Sequence, residues 1–255
     1  MDTALNEQDI QELEYFFPYH YISEFRNGFS QTFNWTWGLY HASTVEFLME
    51  QLRRFEFRSI ADIGCGDGRF TRELAIEFPG KKVIGIDYSK KAISMAKALN
   101  PLIPFMQVDI IRSTINETFD LITLIEVLEH IPLDQVGDFI QSVADLLNPG
   151  GRLIMTVPHL NKPLEDKHFQ HFTLKSLEKA TSFVFKIDKA VFFERSTIQS
   201  KVLNKVLTNQ LFILNQRQLK NFIYWIYKTW LFSASEKNCS RMYLELSKAT
   251  SENLQ

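Results

Sequence analysis

Short apolar runs alternate with stretches whose apolar residues recur every three or four positions, from Ser59 to about Phe193. This alternation predicts strand and helix units around a largely parallel sheet, and therefore an α/β fold. The motif NPGG at 148–151 predicts a turn ahead of the fifth strand. The predicted strands read SIADIG, KVIGID, PFMQVD, FDLITLI, RLIMTV, FVFKIDKAVFF and SRMYLEL, and helix candidates between them include GRFTRELAIEF and SKKAISMAKAL.

Changes in amino-acid composition and pattern divide the chain into four parts. Residues 1–57 are rich in aromatic side chains and predict a helical cap, 58–193 predict the α/β core, and 239–255 predict its last strand and tail. Residues 194–238 are too apolar for a loose linker, so we expect a helical insertion. In this insertion, Phe222 and other apolar residues recur at helical spacing and form an apolar face that must pack against another surface. The insertion would then be either a lid over the site or a dimer interface.

Charge and composition exclude several classes of protein. The 28 basic and 30 acidic side chains give a formal charge of -2, so a nucleic-acid partner is not expected. No run approaches the roughly 20 apolar residues that span a bilayer, and the acidic start MDTALNEQDIQELE is unlike a signal peptide. With only Cys65 and Cys239, a disulfide framework is excluded, and we expect a cytoplasmic protein without membrane insertion.

A glycine-rich corner follows the first predicted strand. Asp62-Ile63-Gly64-Cys65-Gly66-Asp67-Gly68 opens a helix at the carboxyl edge of the sheet, where glycines let a ligand approach the main chain. The spacing is G-x-G-x-G, which departs from the dinucleotide fingerprint because Arg69 stands at the third small position. About 20 residues further on, Asp87 ends the second strand and can accept hydrogen bonds from both hydroxyls of a ribose.

The chain here resembles the class I S-adenosylmethionine-dependent methyltransferases, through DIGCGDG, GIDYS, the QVDI corner and FDLITLIEVLEHI in the family's order. The resemblance covers roughly residues 60–172 and implies a Rossmann-like, seven-stranded, mostly parallel sheet with helices on both faces. It also implies S-adenosylmethionine as cofactor, with the glycines bordering its methionine part, Asp87 its ribose and Asp109 its adenine. The implied cofactor-binding residues are Asp62, Gly64, Cys65, Gly66, Gly68, Asp87, Tyr88, Asp109, Ile110 and Glu126.

Candidate groups for the chemistry lie in two segments. Glu126, Glu129 and His130 are three and four residues apart, so a helical turn would place them on one side. Either His168 or His171 would complete a four-ligand site for Mg²⁺, Mn²⁺ or Zn²⁺. This part resembles ubiquinone-type O-methyltransferases and enzymes that 2′-O-methylate the 3′ end of small RNA. In relatives without metal, Glu126 helps to position the cofactor, and Glu129 and His130 stabilise the turn. For this chain, catalysis without metal would use His130 or His171 as the base.

The resemblance implies an enzyme that methylates an oxygen of a small or medium-sized metabolite or a sugar-containing intermediate. Two alternatives stay open: a metal-dependent methyltransferase acting on the 3′ end of small RNA, and an inactive cofactor-binding partner of another protein. We expect a small-molecule acceptor and leave a homodimer open. The sequence leaves the acceptor unidentified.

Overall fold

The structure is a computed structural model that describes residues 35–208 and 216–249. The strands are β1 (Ser59–Ile63), β2 (Lys82–Asp87), β3 (Phe105–Gln107), β4 (Phe119–Ile125), β5 (Leu147–Pro158), β6 (Phe185–Arg195) and β7 (Cys239–Lys248). The helices are α1 (Trp35–Leu52), α2 (Arg69–Glu77), α3 (Lys90–Leu99), α4 (Val136–Asp145), α5 (Leu174–Thr181), α6 (Ile198–Leu207) and α7 (Arg217–Ile226). A 3₁₀ turn spans Leu128–His130, and a π-helical turn, Tyr227–Leu231, continues α7.

The seven strands form one sheet in the order β3-β2-β1-β4-β5-β7-β6. All pairs are parallel except those made by β7, which runs antiparallel to both β5 and β6. The predicted α/β fold with a seven-stranded, mostly parallel sheet is therefore confirmed. Because β7 runs the other way, its first residues lie beside the last residues of β5 and β6, where Arg241 pairs with Pro158 and with Phe193.

Helices cover both faces of the sheet because the central strands are apolar on both sides. On β7, Met242 and Leu244 face one core and Tyr243 faces the other, as the two-residue period of a strand requires. The first core contains residues of α4 and α5, whereas the second contains residues of α1, α2, α6 and the turn after α7. The sheet edge between these layers is left open for a ligand.

Two local expectations need correction or restriction. The predicted turn NPGG does not precede β5 but lies inside it, where the pairing with β4 jumps from Phe119 opposite Leu147 to Leu121 opposite Arg152. Gly150 absorbs the irregularity with φ 77°, a conformation that glycine adopts without strain. The proposed cap, 1–57, and the tail both extend beyond the described residues, so their boundaries stay predictions.

In the described ranges, every helix is too short or too polar to cross a bilayer.

Candidate active site

A cavity of about 860 Å³ opens at the edge where β1, β2 and β4 end. Parallel strands present their carboxyl ends at this edge, which is the usual ligand site of open α/β sheets. The antiparallel β7 starts at the same edge and β6 ends there, so both also reach the cavity. The predicted cofactor-binding residues on its wall are Asp62, Gly64, Cys65, Gly66, Asp87, Tyr88, Asp109, Ile110 and Glu126.

The glycine corner wraps tightly over the end of β2. The Gly64 N–H donates to the Ile86 carbonyl at 2.7 Å, and the Gly66 N–H donates to Asp87 Oδ2 at 2.9 Å. Gly64 and Gly66 have φ values of 73° and 54°, in the left-handed region that favours glycine. The corner is thus held in place before any ligand arrives.

Gly68 does not belong to the cavity wall, contrary to its implied place beside the cofactor. It stands at the start of α2 with φ 79°, and a Cβ there would meet the Phe105 ring at 2.7 Å. Its glycine requirement comes from this backbone conformation and from packing against Phe105. The third glycine of G-x-G-x-G therefore serves the fold around the site.

Asp87 and Asp62 hold the corner by different contacts. Asp87 Oδ1 accepts from the Ser89 N–H at 2.8 Å, so its two oxygens brace both the glycine corner and the start of α3. Asp62 accepts hydrogen bonds from the hydroxyls of Thr71 at 2.7 Å and Thr123 at 2.9 Å. Burial raises the pKa of Asp62 to about 6, although these two hydrogen bonds oppose the shift.

The segment after β4 holds Glu126 and Glu129 apart, although their sequence spacing predicted that they would lie on one side of a helical turn. Glu126 has φ 56°, which breaks the helical geometry, and the 3₁₀ turn begins only at Leu128. Glu126 Oε2 lies 2.9 Å from Arg241 Nε, in an ion pair with the last strand. The expected helical turn is therefore wrong for Glu126, because the left-handed residue directs its side chain to Arg241.

Glu129, His130 and His168 converge instead, with one ligand atom of each within 4.8 Å of the others. Glu129 is fully buried, and neither of its carboxylate oxygens has a hydrogen-bond partner among the described residues. His130 Nδ1 lies 2.9 Å from the Lys167 carbonyl, which can only accept, so Nδ1 carries the proton and Nε2 of a neutral ring is free. These three residues form what we call the Glu129 cluster.

Electrostatics in the Glu129 cluster favour neutral side chains. Burial, followed by the charge of Glu126, raises the pKa of Glu129 well above its usual range. Burial also lowers the pKa of His130, and burial with the neighbouring His130 lowers the pKa of His168 to about 3. Unprotonated imidazoles are the form that ligates metals or accepts a proton.

Two predicted site residues lie outside this cluster. The group of potential metal ligands excludes Glu126, whose carboxylate is paired with Arg241. His171 does not reach the cavity wall, and its Nε2 lies 2.7 Å from His168 Nδ1, behind the cluster. His171 is therefore placed off the cavity wall, and its catalytic role stays a prediction.

The comparisons with known proteins agree with this architecture. The family described as "Methyltransferase domain" matches residues 60–151, which include the glycine corner, Asp87, Asp109 and the Glu126–His130 segment. Residues 60–151 of this chain therefore contain a methyltransferase domain. The methyltransferase domain covers β1 to the start of β5, while α1, α6, β6 and β7 lie outside the matched segment.

Curated relatives match about half of this chain. A mitochondrial ubiquinone biosynthesis O-methyltransferase of Schizosaccharomyces pombe is 32% identical over 128 residues, covering 46% of this chain and 45% of that protein. The ubiquinone biosynthesis O-methyltransferase of Vibrio cholerae is 30% identical over 124 residues, covering 46% and 49%. The chain thus spans about half the length of the curated relatives it matches.

Solved structures share the fold over most of the chain. The N-methyltransferase NodS from Bradyrhizobium japonicum, in complex with S-adenosyl-L-homocysteine, has a TM-score of 0.54 at 17% identity and covers 83% of this chain and 87% of its own. A protein from Pyrococcus horikoshii has a TM-score of 0.58 at 15% identity, covering 93% and 99%. The likeness therefore extends to strands outside the matched methyltransferase domain.

The sequence analysis did not predict an ionic network on the cavity wall where β4, β6 and β7 meet. Arg241 Nη1 contacts Glu194 Oε1 at 2.6 Å, so one guanidinium joins the ends of β4 and β6 through Glu126 and Glu194. Glu194, like Glu126, has a left-handed φ, 57°. Tyr40 of α1 and Asn204 of α6 form a hydrogen bond on the same wall. Lone charged residues at strand ends carry no sequence signal that would reveal such a network.

The insertion contributes to the cavity through α6. Glu194, Arg195, Ser196, Ser200, Lys201 and Asn204 line it, whereas Phe222 and Trp230 are exposed by 55% and 58% and lie off the cavity wall. Phe222 and Trp230 therefore form no part of the cavity wall in this structure, and the lid and the interface both stay predictions. Ile223, on the other side of α7, packs on the second core, which explains why part of the apolar pattern needed no lid.

Proposed function

We propose that this protein binds S-adenosylmethionine and transfers its methyl group to an oxygen of a small acceptor molecule. One observation carries the proposal: a single cavity contains the glycine corner, Asp87 and Asp109 on one side and the Glu129 cluster on the other. The sulfonium already makes the methyl group electrophilic, so the protein mainly has to align the acceptor atom and remove its proton.

In this proposal the matched methyltransferase domain holds the cofactor. Gly64 and Gly66 let the methionine part approach the main chain, Asp87 accepts from the ribose, and Asp109 with Ile110 borders the adenine. The location of these residues after β1, β2 and β3 supports their roles, since ligands bind beyond the carboxyl ends of parallel strands.

Replacing Asp87 tests the cofactor site. We expect Asp87→Ala to weaken binding of S-adenosylhomocysteine about tenfold or more, because hydrogen bonds to a charged group are worth roughly 1.5–3 kcal/mol. Isothermal titration calorimetry measures the affinity, and thermal melting checks that the corner, which Asp87 also braces, still folds. As a control, Asp188→Ala removes an acid of β6 that pairs with Arg152 and should leave the affinity unchanged. Equal affinities of Asp87→Ala and the unmodified protein would refute the assignment.

The Glu129 cluster has the composition of a divalent-metal site. A buried carboxylate without a partner is costly unless a ligand satisfies it, and the imidazoles of His130 and His168 stand beside it, with Glu165 Oε2 3.8 Å from His168 Nε2. Two nitrogen donors and one carboxylate suit Mn²⁺ or Zn²⁺ better than Mg²⁺, which prefers oxygen ligands. The residues present therefore fit such an ion, with Glu129, His130 and His168 holding it.

A bound divalent ion would lower the pKa of an acceptor hydroxyl and fix its oxygen. The protein's own contribution is to hold the three ligands rigidly, exclude water through burial and keep both imidazoles unprotonated. Without an ion, His130, which lines the same cavity and carries its proton on Nδ1, is the best placed base for an acceptor proton. Both routes lead to O-methylation, and chelation separates them.

The size and walls of the cavity support a small or medium-sized acceptor. About 860 Å³ lies within the range of sites that bind a cofactor with a small molecule. Thr44 and Glu126 line the cavity, and each has one buried side-chain oxygen without a hydrogen-bond partner among the described residues, which supports an acceptor that carries polar groups. The curated relatives are named as O-methyltransferases of ubiquinone biosynthesis, which favours a hydroxylated metabolite.

Transfer of a labelled methyl group tests the proposed function. The protein is incubated with methyl-labelled S-adenosylmethionine and a fractionated cell extract, with and without a chelator and ribonuclease. We expect label in a low-molecular-weight fraction that resists ribonuclease. Label lost with ribonuclease would identify RNA as the acceptor and overturn the small-molecule proposal. Binding of S-adenosylhomocysteine without label in any fraction would instead favour an inactive cofactor-binding protein.

A further inference from the structure

His171 lies outside the cavity but contacts a member of the Glu129 cluster. Its Nδ1 is 3.0 Å from the Lys162 carbonyl, and its Nε2 is 2.7 Å from His168 Nδ1. Because a carbonyl can only accept, His171 Nδ1 carries the proton. A neutral His171 ring then accepts at Nε2, so His168 Nδ1 donates and His168 Nε2 is left without a proton. We call this chain, Lys162 carbonyl to His171 to His168, the histidine relay.

The loop that carries the histidine relay is fastened at both ends. The Leu160 N–H donates to the Phe172 carbonyl at 2.8 Å, and the Phe172 N–H donates to the Pro158 carbonyl at 3.1 Å. The Phe169 N–H also donates to the main-chain carbonyl of Glu129 at 2.9 Å. The main chain around Lys162 and His171 is thereby held against the 3₁₀ turn that carries Glu129 and His130.

We propose that His171 is a positioning residue that fixes the tautomer and ring orientation of His168, and so builds the ligand face of the Glu129 cluster. The metal-binding part of this inference rests on the proposed function, whereas the tautomer part does not. Ligating histidines usually donate their second N–H to an acceptor that fixes the ring, and loss of that acceptor typically costs 10–100-fold in metal affinity. For His130 the acceptor is a main-chain carbonyl, but for His168 it is the side chain of His171.

The tautomer is measured first, on metal-free protein with ¹⁵N-labelled histidine at mildly alkaline pH, by two-bond ¹H–¹⁵N correlation. We expect His168 to carry its proton on Nδ1 in the unmodified protein and in His171→Gln, whose amide can accept from His168 and donate to Lys162. His171→Phe keeps a flat ring but removes both hydrogen bonds, so His168 should become a mixture of tautomers. A proton on His168 Nε2 in the unmodified protein, or the same tautomer in His171→Phe, would overturn the proposal.

Metal affinity is measured second, by titration with Mn²⁺ followed by electron paramagnetic resonance. His171→Phe should bind Mn²⁺ about 10–100-fold more weakly, while His171→Gln stays within a factor of about three of the unmodified protein. Leu164→Ala, an exposed change in the same loop, is the matched control and should bind normally. Equal Mn²⁺ affinity in His171→Phe would contradict the inference. If the unmodified protein binds no Mn²⁺, the metal proposal fails, and the tautomer measurement still decides the role of His171.

Discussion

Glu129→Gln is expected to abolish divalent-metal binding while making the metal-free protein more stable. Glutamine keeps the shape of Glu129 but removes the negative charge that an ion requires. The loss of metal affinity should therefore exceed the 10–100-fold loss that is typical when a residue hydrogen-bonded to a metal ligand is replaced. In metal-free protein the Glu129 carboxylate is fully buried and unpartnered, an arrangement that costs about 1–3 kcal/mol. Mn²⁺ titration measures the affinity, and urea unfolding with a chelator present measures the stability.

The gain in stability should depend on pH in a defined direction. The pKa of Glu129 is raised in the folded protein above its ordinary value of 4.5, so the folded state binds this proton more tightly than the unfolded chain. Stability of the metal-free protein then falls as pH rises from the ordinary value toward the raised one. Glu129→Gln removes this group's contribution to that slope, and the two proteins should differ most at high pH.

Glu245→Gln is the matched control for Glu129→Gln. Glu245 is also buried, but it is paired with Arg54 at 2.8 Å and with Lys189 at 3.1 Å. Neutralising a paired carboxylate leaves cations without their partner, so Glu245→Gln should lower stability while metal affinity stays unchanged. If Glu129→Gln also lowers the stability of the metal-free protein, the Glu129 carboxylate has a partner in solution and the metal proposal loses its main support.

Gly64→Ala is expected to destabilise the fold by about 2–5 kcal/mol and to abolish measurable binding of S-adenosylhomocysteine. The left-handed φ of 73° costs an alanine about 1–2 kcal/mol, and a Cβ would lie 2.5 Å from Val127 Cγ2, where overpacking typically adds about 1–3 kcal/mol. Relief of this clash must move either the glycine corner or the segment after β4. Both segments line the cavity, so cofactor affinity should fall together with stability.

Gly80→Ala separates the backbone penalty from the clash. Gly80 has φ 82°, but a Cβ there meets nothing within 4 Å. We expect only the backbone cost of about 1–2 kcal/mol and an unchanged affinity for S-adenosylhomocysteine. Urea unfolding and calorimetry on both variants give the comparison. Similar behaviour of Gly64→Ala and Gly80→Ala would show that the corner tolerates a side chain, contrary to its packing against Val127.

Several features of the fold followed from local pattern. All seven strands appear where apolar runs were found, and α2 and α3 nearly match their predicted spans. The turn at NPGG was misplaced because its residues remain paired with β4 around a bulge, which depends on the partner strand. The boundaries of the insertion and the cap stay predictions, since 1–34 and 209–215 lie outside the described residues.

The candidate site was predictable where its residues lie close together in the chain. Most residues implied for the cofactor line the cavity, because the motifs that carry them end strands of one sheet. The roles of those residues in binding stay a proposal. The placement of Glu126 and Gly68 differed from expectation because each depends on a distant partner, Arg241 for Glu126 and Phe105 for Gly68. His171 also differed, since its ring bonds to His168 and Lys162 within its own loop and does not reach the cavity wall.

The sequence by itself determined the α/β class, the order of strands and helices, and the glycine corner followed by Asp87. These features are readable because strand period, helix period and turn chemistry are properties of neighbouring residues. Tertiary structure alone decided that Glu129 meets His168 while Glu126 pairs with Arg241. Strand register and the antiparallel direction of β7 bring these residues together, and register is set by packing of the whole sheet rather than by any local pattern.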